Sequence, residues 1–258
     1  MTRMTPPIGR IRRRRLAGAA AAALLAAAPA LAQDSGGRKH LTLVGLPSGT
    51  VAPHGTVFAS LALTNRRTGI GPAIRDNDGS LALGFGLGSA EETIGFQFTM
   101  DITSLSRSFG DAGSFGIKVS RRLAAGDWPV YASLGADYLA PWGSVRVRKP
   151  AVTAALTTFG QITLGGDSYP VMATIGGGNR VRANYTRPGA FVGFGIGVTE
   201  NLAASLAWTG ESLDLGLGLR IPALEPVTFT LAVNDATDRL NSRRVTATAT
   251  WAFNAFGR

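Results

Sequence analysis

The sequence predicts an all-β protein of antiparallel strands, and three observations carry that prediction. After residue 54, apolar residues recur at every second position, the spacing of a strand with two unlike faces. Helical periodicity is almost absent over the same stretch. The alternating runs are separated by clusters of Gly, Pro, Asp, Asn and Ser, the residues that turn a chain.

The first 32 residues are set apart from that pattern. Arg10 and Arg12 to Arg15 precede the apolar run LAGAAAAALLAAA and then Ala30-Leu31-Ala32. A basic region, a short hydrophobic stretch and a small-residue site read as a secretory signal peptide cleaved between Ala32 and Gln33. Removing the six leader arginines leaves 20 basic against 16 acidic residues, a net charge of +4 instead of +10. The basic balance is therefore mostly a property of the leader, and a nucleic-acid partner loses its support. The chain has no cysteine, which excludes disulfides, thiolate metal sites and a cysteine nucleophile. Residues 33–54 are expected to be an extended N-terminal segment, of which 38–53 reads either as extended chain or as an extra strand, with the β domain spanning 55–258.

Twelve strands are expected, near residues 55–64, 79–88, 93–103, 113–121, 128–139, 151–159, 169–178, 190–198, 201–209, 212–221, 226–234 and 243–256. Residues 93–103 set Ile94, Phe96, Phe98, Met100 and Ile102 against Gly95, Gln97, Thr99 and Asp101. In 190–198, Val192, Phe194, Ile196 and Val198 alternate with Gly193, Gly195 and Gly197. The run SLDLGLGLRI sets Leu213, Leu215, Leu217, Leu219 and Ile221 against Asp214, Gly216, Gly218 and Arg220. In 226–234, Val227, Phe229, Leu231 and Val233 alternate with Thr228, Thr230, Ala232 and Asn234. The last strand sets Val245, Ala247, Ala249, Trp251 and Phe253 against Thr246, Thr248 and Thr250. The stretch 151–168 reads either as one irregular strand or as a turn between two.

Two solvents could receive such strands. A soluble sandwich would pack its large faces together and put charge on the outside. Here the second face is glycine, alanine, serine and threonine, and only 16% of residues are charged, against about a quarter in typical soluble domains. A membrane barrel turns the large face to lipid and the small or polar face to the lumen. Strands of roughly 9–11 residues suffice to cross a bilayer, and closure leaves no edge unpaired in hydrocarbon. The fold expected is thus an antiparallel transmembrane β-barrel of about twelve strands, with ten to fourteen in range. Connections alternate between short and long, with TGE (209–211) an exception, which places both termini in the periplasm. Trp128, Tyr138, Trp142, Tyr169, Trp208, Trp251 and Phe253 fall near strand ends, where interfacial aromatics belong.

On this pattern the chain resembles the bacterial outer-membrane β-barrel proteins over essentially all of residues 55–256. The final TWAF is similar to the C-terminal aromatic strand that such proteins present to the barrel-assembly machinery, although Gly257 and Arg258 follow Phe256 here. The resemblance implies insertion in the outer membrane of a Gram-negative bacterium.

Inside the barrel the expected charges are Asp101, Lys118, Asp137, Asp214 and Arg220. Lys118 lies on the strand next to that of Asp101, which suggests a lumen ion pair. The lumen reads as either a narrow water path or a filled core, and Gly216 and Gly218 tilt the reading toward open space. On that view Gly216→Ser is tolerated. The outer loops at 140–150 and 179–189 hold Arg146, Arg148, Lys149, Arg180, Arg182 and Arg187 without acids, a set suited to lipopolysaccharide phosphates or anionic solutes. The short turns carry Glu91, Glu92, Asp127, Asp167, Glu200 and Glu225.

Catalysis has little to stand on. His40 and His54 are the two histidines, and the G-x-S-x-G motif is absent. No catalytic residue, cofactor or metal is therefore expected. The Asp76-Asn77-Asp78-Gly79 stretch reads as turn chemistry, since it lacks the distal glutamate of a calcium loop. The expected role is a small passive pore or a structural barrel. The alternatives are a lipid-modifying barrel enzyme using His54 with a nearby serine, and a soluble exported β-sheet binding protein.

Overall fold

In the computed structural model, residues 39–66, 77–103, 105, 109–183 and 185–256 are described. The expected leader and cleavage site at Ala32 and Gln33, Asp76 of the turn motif, and Gly257 and Arg258 lie outside them. Twelve strands follow one another in the order of the sequence. They are β1 Thr56–Thr64, β2 Asp78–Gly88, β3 Gly95–Ile102, β4 Gly113–Ala124, β5 Val130–Trp142 and β6 Ala151–Leu164. The second half comprises β7 Asp167–Arg182, β8 Arg187–Gly197, β9 Leu202–Trp208, β10 Leu213–Arg220, β11 Val227–Asn234 and β12 Arg244–Asn254. Each pairs antiparallel with its neighbours, and β1 pairs with both β2 and β12, so the sheet closes into a barrel. The ambiguous stretch 151–168 resolves into β6, a two-glycine turn and the start of β7, with Leu164 opposite Asp167.

The alternation in sequence becomes an inverted burial pattern. One large residue from every strand is exposed on the outside: Leu61, Phe85, Phe96, Phe115, Leu134, Leu156, Ile175, Phe194, Leu206, Leu217, Leu231 and Trp251. Small and polar residues are buried inside, among them Ser60, Gln97, Ser120, Ser133, Thr157 and Thr174. Leu217 is 44% exposed while Ser60 is 0%. Water-soluble proteins bury the first kind and expose the second. An apolar ring around a whole circumference far exceeds the patches that soluble monomers tolerate.

Connections at one end are short, at 89–94, 125–129, 165–166, 198–201 and 221–226, and this turn end also holds the start of β1 and the end of β12. The other, loop end carries 65–77, 103–112, 143–150, 183–186, 209–212 and 235–243. The segment expected as a long loop at 179–189 is mostly strand, because β7 runs to Arg182 and pairs it with Arg187.

Candidate functional site

The lumen is occupied by the chain itself. Residues 39–55 form no strand of the barrel but run inside it, and the wall contacts trace their path. The segment starts at the turn end, where the His40 N–H donates to the Thr199 carbonyl (2.9 Å) and the Lys39 ammonium lies 3.4 Å from the centre of the Tyr169 ring. It climbs along β8 to β10, and Val44 N–H donates to Ser205 Oγ (3.3 Å). At Gly45, whose φ is +84°, it reaches Asp214 near the loop end. It then crosses to β4, β5 and β6, where the Gly49 N–H donates to Thr157 Oγ1 (2.6 Å) and Ser133 Oγ donates to the Ser48 carbonyl (2.9 Å). Ser120 Oγ donates to the Gly49 carbonyl. It returns along β2 and β3, with the Ala52 N–H donating to Gln97 Oε1 (2.9 Å), and joins β1.

This path explains the hydroxyls and the glycines of the inner face. A backbone without sheet partners must find hydrogen bonds elsewhere when it leaves water, and Gln97, Ser120, Ser133, Thr157 and Ser205 supply them. The glycines supply room. A Cβ on Gly195 would lie 2.2 Å from the Thr42 carbonyl oxygen, and one on Gly86 would lie 2.1 Å from that of Ala52. Against Gly216 lies Val44, and against Gly218 lie Thr42 and His40. The small lumen residues are slots for a second backbone, so the expected roominess at Gly216 and Gly218 is not what the structure shows. Leu43 and Leu46 anchor the ascending arm in a buried cluster with Ala155, Met172, Phe191 and Ala207. Burying two leucine side chains favours docking by about 1.5–3 kcal/mol each.

The five inner charges do not form one group. Register sets Asp101 opposite Ser114 and Lys118 opposite Gln97, four residues apart along the ladder. Asp137 of β5 is the charge that acts on both, repelling the Asp101 carboxylate and attracting the Lys118 ammonium. Asp214 lies near the loop end, where its carboxylate accepts from Asn234 Nδ2 (2.7 Å) and the Asp235 N–H (2.9 Å). Arg220 sits at the turn end opposite Thr228, on the inner face beside His40. Burial first, and the Arg220 guanidinium second, hold the His40 imidazole down at about 4.

A second buried cluster lies at the loop end. A bulge in β5 gives Tyr138 a φ of +56° and Ala140 one of +42°, and the register with β4 shifts there. The bulge turns Tyr138 inward, where it is buried with Ala112, Val145 and Ala151 instead of standing at the barrel rim. Tyr185, from the turn between β7 and β8, tilts against it at 6.1 Å between ring centres. Arg148 lies 5.9 Å from both rings.

The remaining aromatics stand at the two ends. Trp128, Tyr169, Trp251 and Phe253 are at the turn end, with the last two rings 4.5 Å apart. Trp142 and Trp208 are at the loop end, the former 5.4 Å from Phe115 and the latter beneath Arg239. Arg146, Arg148, Lys149, Arg180, Arg182 and Arg187 all fall at the loop end; Arg182 Nε donates to the Pro188 carbonyl (2.8 Å) and Arg180 reaches the Tyr185 carbonyl. His54 accepts from the Gly88 N–H at Nδ1 (3.1 Å) and packs on Phe256. Among the described residues, no cluster of three or more His, Asp or Glu suited to a metal occurs.

No protein-family model matches the chain, and no curated protein matches it in sequence. A solved outer-membrane channel from Pseudomonas putida F1 aligns over 79% of this chain and 97% of its own, at 9% identity and a TM-score of 0.42. At that distance the alignment assigns neither family nor function.

Proposed function

We propose that the chain is an integral outer-membrane β-barrel, a small passive pore held shut at rest by its own residues 39–54, with no catalytic role. The observation that carries this reading is the pairing of an apolar outer ring with an inner wall fitted to a peptide backbone. Lipid is the solvent that accepts the first, and a structural barrel with a merely filled interior would need no glycine slots for the second. Lys39 and the end of β12 both lie at the turn end, beside the acidic short turns, which supports a periplasmic location for that end. The loop end then faces outward, where its basic residues suit lipopolysaccharide phosphates. The aromatic β12 supports delivery by the barrel-assembly machinery.

Conductance in planar bilayers tests the reading. The full-length chain should insert and show low, rarely open conductance, and loosening the plug should raise the open fraction. Steady conductance from the unaltered chain would refute closure. Failure to insert, with gel mobility unchanged by boiling, would refute the membrane barrel itself.

A further inference from the structure

The ascending arm of the plug is fastened at the turn end by a titratable residue. His40 is 6% exposed. Its main-chain N–H is fixed on Thr199, and its carbonyl sits so close to Gly197 that a Cβ there would lie 2.4 Å away. Its side chain lies against Gly218, and its Nε2 is buried without a hydrogen-bond partner. The charged and titratable groups around this point are few. Lys39 precedes it on the plug and is stacked on Tyr169 of β7, Arg220 comes from β10, and Glu200, beside Thr199, is exposed. Arg220 is the charge that acts on the imidazole.

We propose that His40 is an acid-sensitive latch: the neutral imidazole lets residues 39–46 stay docked, and its protonation releases that arm and unblocks the lumen. The inference rests on the closed-barrel reading. An imidazolium is a donor at both nitrogens, so protonation would bury an Nε2–H with no acceptor. It would also add a positive charge beside Arg220 and Lys39, away from screening water. The imidazole titrates at about 4 when docked, against 6.5 when free. The docked value is the lower one, so docking is fully favoured above the free value and is lost as pH falls from about 6.5 toward 4. A difference of this size shifts the docking equilibrium by on the order of a hundredfold.

Hydrogen exchange of the full-length barrel in detergent, read by mass spectrometry and corrected for intrinsic rates, tests the latch. Peptides covering residues 39–46 should lose protection by on the order of a hundredfold between neutral pH and pH 4, while strand amides of β6 to β10 stay protected. His40→Leu should keep the arm protected at pH 4. Arg220→Gln, which removes the repelling charge, should shrink the acid effect, and it carries the test alone if His40→Leu does not form a heat-modifiable barrel. Protection that is unchanged in the native chain down to pH 4 would overturn the proposal, as would an equal acid loss in His40→Leu. Conductance at neutral pH from a chain whose arm is protected would defeat the closed-barrel reading instead, and exchange would still decide the latch.

Discussion

Gly195→Ala is the smallest change that sets wall against plug. The added Cβ would lie 2.2 Å from the Thr42 carbonyl oxygen and 3.1 Å from Met172 Cγ. The methionine can swing aside, but the carbonyl belongs to a backbone fixed on both sides, by His40 on Thr199 and by Val44 on Ser205. Overpacking of this kind costs about 1–3 kcal/mol. Since each 1.4 kcal/mol is a factor of ten, docking should weaken by roughly 5- to 150-fold. The barrel should survive, because Cβ atoms on the inner face leave the β8 ladder with β7 and β9 intact. Two assays read the change: faster exchange of amides 40–46, and a larger open fraction in planar bilayers. Gly135→Ala is the matched control, an inner-face position whose Cβ would meet only Thr153 Oγ1 at 3.3 Å as its nearest atom. Unchanged exchange and conductance in Gly195→Ala would refute the view that inner glycines exist to seat the plug.

Three further outcomes follow from the same geometry. Leu217→Arg puts a charge on the outer ring near mid-barrel and should lower folding stability in lipid by about 2–4 kcal/mol, measured by urea titration into vesicles; a loss under 1 kcal/mol would contradict lipid contact. Gly216→Ser, neutral if the lumen were open, should instead loosen the plug, since its Cβ would meet Ser205 Oγ at 2.4 Å and Val44 Cγ2 at 2.6 Å; native exchange of residues 42–46 would count against this. Asp137→Ala removes the carboxylate that acts on the Lys118 ammonium and should lower stability in the same urea titration, with Asp137→Ala/Lys118→Met recovering most of the loss.

The outer face was legible because a lipid-facing wall, as proposed, obeys a single rule. Every second residue must be apolar, and Leu215, Leu217 and Leu219 obey with no exceptions to interpret. Strand number and order followed from the same alternation. The inner face was not legible in the same way, because small residues are compatible with both an empty lumen and an occupied one. The signal was present in glycines that face the segment, Gly86 in β2, Gly193-Gly195-Gly197 in β8 and Gly216-Gly218 in β10. A narrow barrel filled by its own side chains would need bulk at those positions. Residues 39–54 carry no alternation to mark them, since their partners are side chains on many different strands and not a ladder. Tyr138 escaped for another reason. One bulge residue inverts the facing of everything after it, and a tyrosine at positive φ leaves no mark in composition.

The central claim is that the ring of large side chains faces lipid, and a nitroxide at position 217 tests it most directly. The chain has no native cysteine, so Leu217→Cys gives a single labelling site. In vesicles, molecular oxygen, which partitions into hydrocarbon, should relax the label far more strongly than a water-soluble nickel chelate does. Stronger relaxation by the chelate would place Leu217 in water and contradict the account.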